Sequence, residues 1–318
     1  MDSSENSSRR LAHNWPYPRR GPFVDHLRQS AAAWFAKRNY EVVRGQPYCL
    51  AHSWEWPQNM ILMEVASYIE ALQAARHGDR EPFLLHRSLH NGLSSQALLF
   101  NLVGPLIVGN DLEPLQKALG TAIPLPNDAS TAILEYWDRS VFNEDAGQPT
   151  SVDLVLGQPD RPGALFIEAK LVETGFGGCN IYREGDCDGA NPVSDFSRCY
   201  LHYIGRKYWP LLDKHGFLQT SFSSERTCPL AAHYQFFREA LLAVEKQGYL
   251  VLLTDQRSPV FHCTGPYGER GLMPFLANFV PDSVKTYVRQ VSIQEIANAI
   301  EYSPTHSWIR DFQFKYGM

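Results

Sequence analysis

The chain lacks most of the features that would place it quickly. No apolar run approaches bilayer-crossing length, the longest being short stretches such as "YLVLL", so a helical membrane span is excluded. The opening "MDSSENSSRR" has no apolar segment of the kind a secretory leader carries, and a cytoplasmic protein is the expectation. Positive charge is not in surplus: 29 Lys and Arg against 34 Asp and Glu give a formal net charge of −5. A protein that coats nucleic acid indiscriminately needs many phosphate contacts, so any such surface here must be local. The chain has no C-x-x-C pair, HExxH pattern, Walker loop or serine nucleophile elbow. Those gaps argue against a zincin, an internal ATP motor and a serine hydrolase; His86 and His90, four apart, read as ordinary histidines. Six cysteines without a leader read as thiols or metal ligands, not a disulfide framework. No internal repeat is visible.

What is present is a globular composition: 318 residues, 44% hydrophobic and 20% charged. That is enough chain for a large core, as one elaborated domain or two small ones. Residues 1–20 read as a disordered basic tail whose Arg9, Arg10, Arg19 and Arg20 could be a second nucleic-acid contact, a merely solubilising tail being the alternative. "VDHLRQSAAAWFAKRNY" and "MILMEVASYIEALQAARHG" have helical periodicity, and "SLHNGLSSQALLFNLVGPL" reads as a helix capped by Ser94 or Ser95 and stopped at Gly-Pro. "TAILEYW" is a strand carrying Glu135. "YLHYIGRKYWPLLDKHG" reads as a basic aromatic helix, "PLAAHYQFFREALLAVEKQG" as an amphipathic helix, and "YLVLLTD" as a buried strand. "VRQVSIQEIANAI" is a strand running into a helix with a Ser292/Glu295 capping box.

The informative stretch is "SVDLVLGQPDRPGALFIEAKLVE", residues 151–173. Its two apolar runs are joined by Pro, Asp and Gly, which predicts a hairpin. Alternation puts Phe166, Glu168 and Lys170 on one face of the second strand, and Leu165, Ile167, Ala169 and Leu171 on the other. In the first strand Asp153 and Val155 share a face, opposite Val152, Leu154 and Leu156. Asp153, Glu168 and Lys170 can then converge. Burying such charges costs several kcal/mol per ion unless a partner or metal compensates. The plain alternative is an edge hairpin with a solvated face and an ordinary Glu/Lys pair.

The order helix, strand, hairpin, insertion, helix, strand predicts an α/β fold with a mixed central sheet flanked by helices. With Asp153 in "TSVDLVL" and Glu168-Ala169-Lys170 in "LFIEAKL", the chain resembles the PD-(D/E)XK, or restriction-endonuclease-like, nuclease superfamily. Ser-Val stands before the first acid where Pro is often found. The resemblance covers roughly residues 90–255. It implies a nuclease-like domain over 89–318, with an insertion at 174–228 and an N-terminal helical region, 21–88, packed on the core. It also implies a Mg²⁺- or Mn²⁺-dependent nuclease acting on DNA in restriction, defence or repair, as a homodimer or with partner proteins. Asp153, Glu168 and the Ala169 carbonyl would hold the metal, with Glu135 as a further ligand. Lys170 would orient the attacking water. Gln235 and Arg238 fit the superfamily's Gln-bearing helix, and Gln96 and Asn101 are polar candidates on the helix before the catalytic strands. The other reading is a noncatalytic, nuclease-like binding module in a larger complex.

For nucleic acid the best local segment is 198–214, where Arg198, His202, Arg206, Lys207 and Lys214 alternate with aromatic residues. An amphipathic helix with core aromatics and solvated charges is the alternative. Cys179, Cys187, Cys199 and Cys228 fall between the acid-x-Lys strand and the next core helix. They could hold Zn²⁺ or an iron-sulfur cluster, although none forms a close pair; ordinary thiols are the alternative.

Overall fold

The computed structural model describes residues 18–78, 83, 85–265, 268–301 and 306–318. Most of the expected tail, with Arg9 and Arg10, lies outside them. In chain order, helix α1 (Arg20–Lys37) precedes a short antiparallel hairpin, β1 (Val42–Val43) with β2 (Gln46–Leu50), and helix α2 (Met63–Ala75). Helices α3 (Ser95–Leu102), α4 (Gly104–Val108) and α5 (Glu113–Leu119) lead to strands β3 (Ala132–Asp138), β4 (Thr150–Leu156) and β5 (Leu165–Lys170). Short helices α6 (Asn180–Arg183), α7 (Tyr200–Tyr203) and α8 (Tyr208–Lys214) precede the long helix α9 (Pro229–Glu245) and strand β6 (Tyr249–Thr254). A small hairpin of β7 (Cys263–Gly265) and β8 (Gly268–Arg270) is followed by helices α10 (Leu272–Ala277) and α11 (Asp282–Lys285). Strand β9 (Val288–Ser292) and helices α12 (Ile293–Glu301) and α13 (Ile309–Tyr316) end the chain.

The result is a mixed α/β fold on a five-stranded sheet in the order β3-β4-β5-β6-β9. The first three strands are antiparallel neighbours, while β5, β6 and β9 run parallel. All six residues of β5 are buried, as expected of a strand covered on both faces. Leu165, Ile167 and Ala169 join Val251 and Leu253 of β6 in one core, shared with Leu27 of α1, Ile69 of α2, Leu98 of α3 and Phe312 of α13. Phe166, Leu250 and Leu252 face a second core with Phe236 and Leu241 of α9 and Trp209 of α8. The alternation expected for β5 is therefore observed.

Four local expectations need correction. Val152 joins Val155 in the second core, so the alternation of β4 slips at Asp153. The region 21–88 contains the β1–β2 hairpin as well as helices, and α1 begins at Arg20, inside the expected tail. α3 stops at Leu102, just before Gly104-Pro105 as expected, but the same Gly-Pro also opens α4, because Pro in a first turn forfeits no helical hydrogen bond. The expected basic aromatic helix breaks into α7 and α8 around Gly205, whose φ of +85° suits glycine. Ser94, not Ser95, caps α3 by accepting from the Ala97 N–H at 3.2 Å. Ser292 and Glu295 form the expected capping box.

Candidate active site

Strands β4 and β5 pair at Leu154↔Ile167, Val155↔Phe166 and Leu156↔Leu165, and the ladder ends there. One step further, Asp153 and Glu168 would face each other. They are joined through side chains instead: Asp153 N–H donates to Glu168 Oε2 at 3.3 Å, and Ala169 N–H donates to Asp153 Oδ2 at 2.9 Å. The acids thus fill a parting between two strands, where free backbone donors favour carboxylates.

Glu135 closes the other flank. The β3–β4 register runs Leu134↔Leu154 and Tyr136↔Val152, which brings Glu135 level with Asp153. Glu135 adopts φ +49° in mid-strand, a left-handed conformation costing an L-residue about 1–2 kcal/mol. Arg76, at the C-cap of α2, holds the turned backbone through the Leu134 carbonyl at 2.7 Å, and Gln96 Nε2 donates to Glu135 Oε1 at 2.5 Å. Gln96 Oε1 in turn accepts the His86 N–H at 3.0 Å, tying the 86–95 segment to the acids. Asn101, the other polar candidate on α3, points elsewhere: it bonds Ile61 N–H, the Asn59 carbonyl and Tyr316 in the core.

Lys170 donates to Glu168 Oε1 at 2.6 Å and to Gln235 Oε1 at 3.0 Å, while Gln235 Nε2 donates to Glu168 Oε1 at 2.7 Å. A break in α9 sets this triangle. His233 has non-helical angles (φ −133°, ψ 44°), and the freed N–H groups of Tyr234 and Gln235 donate to the carbonyls of Gly177 and Phe176. The loop leaving β5 is thereby laced into the helix, and Gln235 is delivered to Lys170.

The electrostatics are those of crowded acids. Burial, then the charges of Glu168 and Glu135, lift the Asp153 carboxyl well above the usual range. Burial lifts Glu135 to about 7, against the Gln96 hydrogen bond, and Glu168 adds to the rise. Burial works against the Lys170 ammonium, but Glu168, Glu239, Glu173 and Asp153 together push its pKa up. Oxygen donors that repel one another and await positive charge suit a hard divalent cation. Among the described residues no three His, Cys, Asp or Glu side chains already converge as a cage; Glu168 Oε1 is engaged by Lys170 and Gln235.

Glu135, Asp153, Glu168 and Lys170 line a cleft of about 830 Å³ together with Arg20, Arg28, His86, Arg87 and Gln148. The family model described as Restriction Endonuclease associating with ARP matches residues 28–317. The chain belongs to that restriction-endonuclease family. No curated protein and no solved structure matches it.

In this restriction-endonuclease family member the basic residues expected to meet nucleic acid are placed differently from the expectation. Arg206 is buried, with its guanidinium on Asp145 and on the carbonyls of Asn143 and Ala146. Arg238 is spent on Thr150 Oγ1 and Glu144 Oε1, each at 2.8 Å. Lys214 pairs with Glu245 at 2.6 Å, and exposed Arg198 lies 4.0 Å from Asp188. Lys207 is exposed. Besides Lys170, the cleft's cations come from outside the segment: Arg20, one of the expected tail contacts, and Arg28 from α1, and Arg87 from the loop before α3. One signal for them was available, since Arg20, Val24 and Arg28 repeat every four residues along one helical face.

The four insertion cysteines lie in one region but do not converge as a metal-binding group among the described residues. Burial raises the Cys179 thiol and lifts that of Cys228 to about 12, with small contributions from the neighbouring cysteines. All six cysteines are free thiols.

No helix among the described residues is long and apolar enough to cross a membrane.

Proposed function

We propose that the protein is a divalent-metal-dependent nuclease, with a restriction-endonuclease-like core, that hydrolyses phosphodiester bonds of DNA. The observation that carries this reading is the junction of Asp153, Glu168 and Lys170 at the parting of β4 and β5, inside a cleft that also holds arginines. Asp153, Glu168 and Glu135, with the Ala169 carbonyl, would hold Mg²⁺ or Mn²⁺. Bound there, the ion supplies charge neutralisation at the phosphoryl oxygens and a more acidic water.

The chain's own residues do the rest. Lys170, charged and anchored by Gln235, orients the attacking water and stabilises charge that develops on the phosphoryl group. Gln235 keeps Lys170 and Glu168 in register. Arg20, Arg28 and Arg87 bind the backbone phosphates that flank the scissile bond. The family description names ARP as an associate, and a protein partner of that description belongs to the same proposal. A Zn²⁺ ion or iron-sulfur cluster on Cys179, Cys187, Cys199 and Cys228 is a subsidiary proposal: stoichiometric zinc or iron in the purified protein supports it, and neither metal removes it.

The test is incubation of the purified protein with plasmid, linear duplex and single-stranded DNA in Mg²⁺, Mn²⁺ or chelator. Metal-dependent cleavage lost in Asp153→Ala supports the reading. DNA binding without cleavage in either metal favours the noncatalytic module.

A further inference from the structure

Behind Gln235 lies a second cavity, of about 430 Å³, which the reaction outlined above does not use. Thr150 and Ser151 of β4 form one side, Gln235 and Arg238 of α9 another, and Tyr200 and Ile204 the outer rim. Gln148 lines both this cavity and the catalytic cleft, so the two are neighbours across one wall. The size is that of a small-molecule site.

Its chemistry points away from phosphate. Arg238 and Arg206 both reach the cavity, but Glu144 neutralises the first and Asp145 the second. Glu144 and Glu239 add acids to the lining, and the two Glu239 oxygens are buried without a hydrogen bond of normal geometry among the described residues, the Gln235 amide being the donor near enough to act on them. A buried acceptor without a well-formed hydrogen bond is unusual and suits a ligand that brings N–H groups. The walls are flat and aromatic. Tyr234 lies under the Arg238 guanidinium, 4.7 Å from ring centroid to carbon, and Tyr208 stands beside it. At the mouth Tyr200 is 53% exposed and Ile204 38% exposed. A neutral, planar ligand with amine and amide edges fits these walls.

We propose that this cavity receives one nucleobase of the substrate, unstacked from the strand next to the scissile phosphate. The inference rests on the nuclease reading and adds to it a base-reading subsite. Stacking would come from the exposed Tyr200 ring, and edge recognition from Gln148 and Glu239. It also accounts for the exposed Tyr200 ring in the insertion.

Two variants outside the catalytic set test it. Ile204→Trp fills the mouth, and Tyr200→Ala removes the exposed ring. Against intact duplex each is expected to cleave about tenfold more slowly than wild type. On a duplex with an abasic site at the position next to the cut, Ile204→Trp is expected to match wild type, because no base then needs the cavity. In Ca²⁺, 2-aminopurine at that position is expected to brighten on binding wild type and stay dark with Ile204→Trp. Wild-type rates for both variants on intact duplex, equal losses on intact and abasic duplex, or a dark probe at every position near the cut overturn the proposal. Cleavage of ordinary DNA by wild type reads the nuclease assignment separately. If that cleavage is absent, brightening with wild type alone still supports the pocket, and a dark probe still overturns it.

Discussion

Lys170 and Glu168, two residues apart on β5, form an ion pair of 2.6 Å with both side chains more than nine-tenths buried. Removing one partner of a buried pair leaves the other charge uncompensated, a loss of about 3–5 kcal/mol. The pair is also short of outlets: Gln235 is the one further side chain that bonds both members among the described residues.

Replacing Asp153 by Ala, or Lys170 by Met, is expected to lower metal-dependent DNA cleavage by about a hundredfold or more, equivalent to at least ~3 kcal/mol in the barrier. Plasmid nicking measures it, with thermal unfolding to show that each variant is folded. A folded variant with full activity refutes the assignment.

Gln235→Leu tests positioning. Because Gln235 touches Lys170 and Glu168 without a phosphate contact of its own in the proposal, the expected change is a fall in kcat of about ten- to a hundredfold with KM little altered. A rise in KM at constant kcat would place Gln235 in substrate binding.

The relocation of the basic surface makes a paired prediction. Arg28→Ala and Arg87→Ala are each expected to flatten the log–log salt dependence of DNA binding by about one unit while the fold stays intact. Arg206→Ala is expected to do the reverse: destabilisation of about 1 kcal/mol, from the lost hydrogen bonds to the Asn143 and Ala146 carbonyls, and little change in salt slope. Salt titrations of binding and denaturant unfolding separate the two.

Lys315 of α13 gives a pH prediction remote from the site. Its amine is fully buried, bonded to the Asn59 carbonyl and to Asn59 Oδ1 at 2.7 Å. Burial, with the Arg38 charge, drives its pKa well below the ordinary lysine value. The unfolded chain then binds the extra proton as pH rises from the folded value to the unfolded one. Stability therefore climbs with pH across that window, by about 1.4 kcal/mol per unit. Unfolding of wild type minus that of Lys315→Met is expected to increase as pH rises toward the ordinary lysine value. A flat difference contradicts the prediction.

The alternation of β5 was readable in one dimension, because side chains of a strand take opposite faces whatever surrounds it. That local rule placed Glu168 with Lys170, and the turn residues of 157–163 brought Asp153 beside them by hairpin pairing. Glu135 opposite Asp153 follows from the same meander. Gln235 was visible as a polar residue on a helix, but its contact with Lys170 depends on the break at His233 and the loop that bonds into it. The slip at Asp153 also lay beyond a period-two reading, since it arises where the ladder stops. The fate of the cations was decided wholly by tertiary structure. Arg206 and Arg28 look alike in sequence, yet one is enclosed by the 143–146 loop while the other stands at the cleft. What separates them is contact between residues more than sixty positions apart in one case and the packing of α1 against α13 in the other, and neither has a local signature. The residues of the site follow from strand geometry, whereas the surface that would meet the substrate follows from which distant segments bury one another.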